Sequence, residues 1–340
     1  PPDDPRVAGS LLTPGAFLVS RSNTRDKVGR AGMWRGEIEC CAYPDLMMRF
    51  RVNDALVDAD YLESYLKSPS ARRHFESSAS GTSDSMVKIT KRAVETLPVP
   101  LPPIPEQRRI ARTLTIWDAA IEKTTRLSEA RRRRYAFLVE QLTAKSDLDT
   151  VRVRSIATEV SVRNSARKVA LVLSVTNRNG FELPEDRFSR RLASDDLSAY
   201  KVVRRGQYAY NPSRLNVGSI SRLDDWEGCV LSPMYVVFAL DDTQIESDFF
   251  LHWLGSSWAR GHIVRSAQGS VRDSVSFSDF GSIRVHLPTP DTQRQAVRIL
   301  NLARRELVLL SELKGAYSRQ RAAMVATLLS AVHDDSSARR

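Results

Sequence analysis

The sequence predicts two mixed α/β (α+β) domains in tandem, related as a pseudo-twofold repeat and each followed by a long helix, with the two helices pairing as an antiparallel coiled coil. Three observations carry this: the length, an internal duplication, and two long stretches with a helical seam. A chain of 340 residues is too long for one typical domain and sufficient for two, each with its own core. With 42% hydrophobic and 27% charged residues, the composition is that of a chain that folds. The expected boundaries are a first lobe at 1–104, short on its N-terminal side, a helix at 105–147, a second lobe at 148–290, a helix at 291–331 and a flexible tail at 332–340.

The duplication is read directly from the residues. Leu66, Ser68, Ala71, Arg72 and His74 match Leu254, Ser256, Ala259, Arg260 and His262 at an offset of 262 − 74 = 188. Ser78-Ala79-Ser80-Gly81 meets Ser266-Ala267-Gln268-Gly269 in the same register, and Leu101-Pro102 with Gln107-Arg108 meets Leu287-Pro288 with Gln293-Arg294 at 293 − 107 = 186. Upstream, Gly15 to Gly29 lies against Gly206 to Gly218, the offset drifting to 206 − 15 = 191 through small loop indels. This period far exceeds the roughly 20–50 residues of solenoid units, so whole domains are duplicated. Pro1 falls opposite Leu192, which leaves roughly the first 40 residues of the second copy without a counterpart, through a truncated start or an abbreviated lobe.

Each copy ends in a helix. Pro105-Glu106-Gln107 puts a proline and an acid in the first turn, where the missing N–H costs nothing and negative charge suits the macrodipole. Steps of four and three from Ile110 give Leu114, Trp117, Ile121, Thr124, Ser128, Arg131, Tyr135, Leu138 and Leu142, a seam with a polar middle. The second copy gives Leu300, Ala303, Leu307, Leu310, Lys314, Tyr317, Arg321, Met324 and Leu328. A helix of about 40 residues spans roughly 60 Å, so it acts as a spacer if the two seams pack together; the alternative is that each folds back on its own lobe. Within the lobes, residues 16–20, 208–211, 235–240 and 283–286 read as short strands, and 58–68 and 247–264 as capped helices.

Charge and motifs narrow the function. A net charge of +11 favours a polyanionic partner. No apolar run approaches the roughly 20 residues of a membrane span, and the first residues lack the features of a signal peptide, so a cytoplasmic protein with no membrane partner is expected. Cys40, Cys41 and Cys229 form neither a disulfide framework nor a zinc spacing, and the histidines show no metal-ligand spacing. His74 and His262, equivalent in the repeat, suggest a shared structural hydrogen bond. Asn211-Pro212-Ser213-Arg214 begins like an adenine-methyltransferase motif but lacks the second proline and the aromatic; Pro44-Asp45 begins like a nuclease motif that nothing completes; no phosphate-binding glycine loop occurs. No catalytic residue, cofactor or metal is therefore expected.

Three segments bring a family into view: residues 97–111, a proline-rich run into Pro105-Glu106-Gln107-Arg108; residues 194–211, ending in Gly206-Gln207-Tyr208-Ala209-Tyr210-Asn211; and residues 228–238, containing Leu231-Ser232-Pro233-Met234-Tyr235. Together with the duplication they resemble the specificity subunits of Type I restriction–modification enzymes. Thr289-Pro290-Asp291-Thr292-Gln293 departs from the usual Glu-Gln context at the second helix start. The resemblance implies that the lobes are target-recognition domains, each reading one half of a bipartite double-stranded DNA site. It also implies that the helices set the unread spacer, and that two methyltransferase subunits and ATP-dependent restriction (motor) subunits dock on the chain. A coiled-coil scaffold recruiting protein partners without reading DNA is the alternative.

The candidate DNA contacts fall in matched loops. In the first lobe, Arg21, Ser22, Asn23, Arg25 and Lys27 pack cationic and amide donors into one turn after a strand, as phosphate positioning and base-edge readout require; Asn211, Ser213, Arg214 and Asn216 are their counterparts. Ser83 and Lys88 match Gln268, Ser270 and Arg272, in which Gln268 could reach adenine and Arg272 or Lys88 guanine or phosphate. Thr176, Asn177 and Arg178 form a further loop whose first-lobe counterpart is absent. The run Arg131 to Arg134 points in nearly all directions on a helix, so a solvated face or a partner contact is expected there in preference to base reading.

Overall fold

The computed structural model of the chain describes residues 9–81, 86–144, 150–177, 179–184, 196–268 and 274–337. The chain divides into two compact units, Pro1–Arg126 with Leu310–Arg340, and Leu127–Leu309.

In the first unit, β1 (Phe17–Ser20) is followed by β2 (Ser22–Asn23), β3 (Ala31–Met33) and β4 (Met47–Phe50), and β1 lies between β3 and β4, antiparallel to both. Phe17 pairs with Met33 and Phe50 and stacks on Phe50 with ring centroids 5.2 Å apart, a cross-strand pair of the kind that stabilises sheets. Helix α1 (Ala59–Leu66) begins where Asp58 Oδ1 accepts from the Tyr61 amide at 3.1 Å, and α2 (Pro69–Ser78) where Ser68 Oγ accepts from the Ala71 amide at 3.3 Å. After β5 (Val87–Lys88) and α3 (Lys91–Glu95) comes the long helix α4 (Ile104–Thr143). Phe17, Val19, Tyr61, Phe75, Val87, Ile110 and Leu114 meet Val325 in one core.

The second unit contains β6 (Thr150–Arg152), α5 (Val153–Ile156), β7 (Ala157–Glu159), β8 (Ser174–Thr176), β9 (Gly180–Glu182), β10 (Lys201–Arg204) and β11 (Tyr208–Tyr210). A 3-10 turn (Pro212–Val217) leads to β12 (Ile220–Arg222), β13 (Gly228–Leu231), β14 (Val236–Leu240), α6 (Ser247–Leu254), α7 (Ser257–Gln268), α8 (Phe277–Ser282), β15 (Arg284–His286) and α9 (Pro290–Ser337). Its sheet runs β12-β11-β14-β7. Tyr208 pairs with Arg222 and Phe238, as Phe17 does with Met33 and Phe50, and stacks on Phe238, again at 5.2 Å. Even the isolated bridge Leu11↔Ala42 falls where Val202 pairs with Val230 in the β10–β13 ladder, at offsets of 202 − 11 = 191 and 230 − 42 = 188. Burial pushes the thiol of Cys229 in β13 up to about 12, which leaves it an inert core residue.

The units differ at their margins. In the second, β7 extends the sheet beside β14 and β6 pairs with β15. In the first, no strand among the described residues flanks β4 in that way, and residues 97–100 stand in the place of β15. Their carbonyls are taken by side chains: Tyr61 Oη donates to Pro100 O at 2.8 Å and Tyr65 Oη to Pro98 O.

Both long helices start in the same lock. Gln107 is fully buried; its Oε1 accepts from the Asp58 amide (2.8 Å) and its Nε2 donates to Leu56 O (3.0 Å) and Pro102 O (2.8 Å). Gln293 repeats this with the Glu246 amide (2.8 Å), Gln244 O (3.2 Å) and Pro288 O (2.9 Å). The departing sequence at the second start is accommodated by Thr289, whose Oγ1 accepts from the Thr292 amide at 3.4 Å. Within the first unit α4 and α9 meet through Trp117 edge-on to Tyr317 (5.8 Å) and a two-bond ion pair from Arg321 to Asp118 (2.5 and 3.0 Å). Within the second they meet through Arg131 and Glu306 at 2.8 Å.

Of the described seam residues, those of α4 are all buried or half-buried, whereas Lys314 of α9 is exposed, its ammonium kept in water. Two sequence expectations are corrected. Residues 247–264 are not one helix: Ser256 Oγ accepts from the Ala259 amide at 3.0 Å and so starts α7 after α6 has ended. Nor do the equivalent histidines share a bond: His74 Nε2 lies 2.8 Å from Ala93 O, while His262 packs against Trp258 with ring centroids 4.0 Å apart.

Candidate nucleic-acid interface

In the first unit the two loops singled out by the repeat are joined by backbone pairing. β2 pairs with β5, Ser22 opposite Lys88 and Asn23 opposite Val87, and Lys88 also bridges Ser80. Arg21 and Lys88 are exposed beside one another on this ladder's ends, with Arg21 O accepting from the Ile89 amide at 2.9 Å. Asn23 Oδ1 accepts from the Thr24 amide (2.9 Å) and Thr24 O from the amides of Lys27 and Val28 (2.9 Å each), so the turn is tightly wound and presents Arg25 and Lys27 to solvent. Ser22 differs: it is 6% exposed with a buried Oγ that makes no hydrogen bond, so its hydroxyl faces the protein. Ser83 lies outside the described residues.

Beneath this turn sits Arg72 of α2, which is not among the contacts expected from the sequence. Its Nη1 donates to Val28 O at 2.5 Å and its Nη2 reaches Asp26 O (3.2 Å), Arg25 O (3.5 Å) and Glu76 Oε1 (3.0 Å). Gly29, at φ +72°, closes the turn against α2, and a Cβ there would lie inside the Phe75 side chain.

In the second unit Asn211 Oδ1 accepts from the Ser213 amide at 3.1 Å and caps the 3-10 turn, which leaves Ser213, Arg214 and Asn216 exposed on it. Gly218, at φ +90°, ends the turn. The β8–β9 hairpin comes against it: Gly180 approaches Ser221 so closely that a Cβ would meet the Ser221 Oγ at 2.5 Å. Thr176 Oγ1 accepts from the Asn179 amide at 3.3 Å, shaping the hairpin tip, and exposed Asn177 stands next to Gly218. A cleft of about 390 Å³ results, with Leu215, Ile220 and Ile263 in its wall and Asn177, Asn216 and Arg260 as its polar groups. Arg260 is the repeat equivalent of Arg72, and its match in the duplication was the signal that could have marked both arginines. The side chain of Gln268, at the end of α7, and residues Arg178, Ser270 and Arg272 lie outside what is described.

A buried polar chain braces this unit. Tyr135 Oη lies 2.8 Å from His252 Nδ1, His252 Nε2 lies 2.8 Å from Asn301 Oδ1, Asn301 Nδ2 donates to Asp248 Oδ2 at 2.7 Å, and Asp248 pairs with Arg222 at 2.7 Å. Because Asn301 donates to Asp248, its oxygen accepts from His252 Nε2–H, and His252 Nδ1 accepts from the tyrosine. Burial holds the His252 pKa below its ordinary value, against the hydrogen bond from its Nε2 to Asn301. For Asp248 burial acts upward, but the bonds from Asn301 and Arg222 outweigh it and hold the carboxyl below the usual range.

The family model "Type I restriction modification DNA specificity domain" matches residues 37–132, which run from the end of the first lobe's sheet into α4. Over these residues the chain is similar to a Type I restriction–modification DNA specificity domain. Its fold is similar to that of two solved structures from Type I restriction–modification systems. The S subunit of a Type I restriction–modification system from M. genitalium superposes with a TM-score of 0.56 at 14% identity, covering 94% of this chain and 84% of that one. A structure concerned with complex assembly and conformational transition of the type I R-M system superposes with a TM-score of 0.53 at 16% identity, covering 94% and 82%. No curated protein matches the sequence. Among the described residues no group of histidine, cysteine, aspartate or glutamate could hold a metal ion, and no helix is long and apolar enough to cross a membrane.

Proposed function

We propose that this specificity domain and its repeat each read one half of a bipartite double-stranded DNA site, with α4 and α9 running as an antiparallel coiled coil that sets the unread spacer. The observation that carries the reading is the recurrence, on one repeated chassis, of exposed cationic and amide side chains: Arg21, Arg25, Lys27 and Lys88 in the first unit, and Asn177, Arg214, Asn216 and Arg260 in the second. Arginine and lysine supply phosphate and guanine contacts, and asparagine can pair with adenine, so each set has the chemistry both to position and to specify. The chain itself performs no catalysis on this reading and acts in the cytoplasm.

Methyltransferase subunits, one per repeat, and motor subunits of a restriction complex are the proposed protein partners. A repeated feature on the helices supports a pair of equivalent docking points: Ile116 and Leu302, at 302 − 116 = 186, are 69% and 70% exposed, each four residues after an exposed arginine, Arg112 or Arg298. The test is a binding assay on the full chain with its methyltransferase partner. Sequence-selective binding should weaken steeply with salt, by about 0.9 in log–log slope per phosphate contacted. Exchange of residues 151–288 for those of a relative should change one half of the methylated site. Salt-insensitive partner binding with no effect of DNA, or a change in both halves, would overturn the proposal.

A further inference from the structure

We propose that Arg72 is a positioning residue for DNA specificity, holding residues 24–28 in the one shape that presents Arg25 and Lys27, so that discrimination at one half-site depends on a side chain that never touches DNA. The inference rests on the reading that this turn contacts DNA.

The geometry is that of a backbone mould. The carbonyls of Arg25, Asp26 and Val28 all turn inward onto a single guanidinium, whose side chain is 20% exposed and whose Nη2 also donates to Glu76 on the next turn of α2. Asp26 O also accepts from Arg30 Nε at 3.3 Å, but Val28 O is part-buried and the convergence of three carbonyls on one volume favours this shape while a donor array fills it. Arginine meets the need with a planar fork of five N–H groups; lysine has the charge but only a compact three-donor ammonium, and cannot span acceptors spread over four residues. Gly29 and Phe75 fix the far end of the turn on the same helix, so α2 determines its position at two points.

The second unit provides an internal control. Arg260 occupies the equivalent place, yet its Nε and Nη2 both turn back to Gly255 O at the α6–α7 junction. The 3-10 turn there holds itself, through the Asn211 cap and left-handed Gly218. One loop is clamped from outside and the other from within. Loss of Arg72 should therefore affect one half-site alone.

The experiment uses the full chain with its methyltransferase partner and a target duplex altered in one half-site at a time, reading the ratio of affinities for intact and altered sites. Arg72→Lys, which keeps the charge, should lower discrimination at one half-site by about tenfold, the size of one base contact, and leave the other half-site and the salt slope of non-specific binding unchanged. Arg260→Lys should leave that same half-site untouched. A double Arg25→Ala, Lys27→Ala variant identifies which half-site the turn serves. If that double variant alters neither discrimination nor salt slope, the turn is not a DNA contact and the underlying reading falls. If it relaxes one half-site while Arg72→Lys relaxes none, the mould is wrong and the reading stands. Equal loss at both half-sites in Arg72→Lys would mean general destabilisation and would also overturn the inference.

Discussion

Replacing Gln107 by alanine should destabilise the first unit by about 3 kcal/mol, and Gln293→Ala should do the same to the second. Each side chain is at most 1% exposed and makes three hydrogen bonds to backbone groups, at 2.8 to 3.2 Å. A hydrogen bond contributes about 1 kcal/mol net, and truncation leaves one amide and two carbonyls without their partner, so three bonds give about 3 kcal/mol, with about 2 and 5 as bounds. For a domain of this size that lowers the melting temperature by roughly 2–4 °C per kcal/mol. Hydrogen exchange gives the sharper readout, since the Asp58 amide should lose protection in Gln107→Ala and the Glu246 amide in Gln293→Ala, each without effect on the other. The two glutamines share no partner, so the double variant should be additive. Unchanged protection at Asp58, or a loss below about 0.5 kcal/mol, would mean that the helix start is held by something other than this side chain.

Gly29→Ala combines a left-handed backbone with a clash against Phe75, and should cost about 2–5 kcal/mol by urea unfolding. Because the His252 pKa is lowered in the folded state, the unfolded chain binds more protons once the pH falls below about 6.5; stability is full above that value and declines below it toward the folded pKa. His252→Gln should therefore flatten the stability difference between pH 7.5 and 5.5, and an unchanged slope would exclude His252 as its source. A double-mutant cycle on Asp118 and Arg321, a two-bond pair whose arginine is 16% exposed, should return a coupling of about 1 kcal/mol; a value near zero would show that Trp117 and Tyr317 hold the helices there unaided.

The chassis was legible in the sequence because its constraints are periodic or repeated. Strand alternation around Phe17 and Tyr208, the seam of α4 and the offset of 188 residues all leave marks on the residue string. The break between α6 and α7 was not legible, since Gly255 and Ser256 sit in an apolar run and only the bond from Ser256 Oγ to a backbone amide decides that a new helix begins. Arg72 was missed for a related reason. It lies beyond the helix read at 58–68, and nothing local reveals that a turn some 44 residues earlier directs its carbonyls at it. The burial of Ser22 is equally non-local, because it depends on β2 pairing with β5 more than 60 residues later.

The kind of bond found at the repeat's joints explains why lobes on this chassis can differ in what they read. Gln107 and Gln293 bond to backbone carbonyls and amides, and the caps of Ser68 and Ser256 to backbone amides. Backbone acceptors are present whatever side chains a lobe carries, so the joints place little demand on sequence, while Arg25, Lys27, Asn177 and Asn216 lie on turns free to vary. A lobe exchanged at 151–288 still offers Gln293 the carbonyls at 244 and 288 and the amide at 246, provided the chain there keeps its path. Junctions placed within 58–102 would instead divide the first glutamine's partners between two parents, and where the parental backbones differ at residues 56–58, α4 would lose its lock. Exchanges cut outside that interval should fold; those cut inside it should lose stability by about the 3 kcal/mol that three bonds supply, without regard to which DNA the lobe reads.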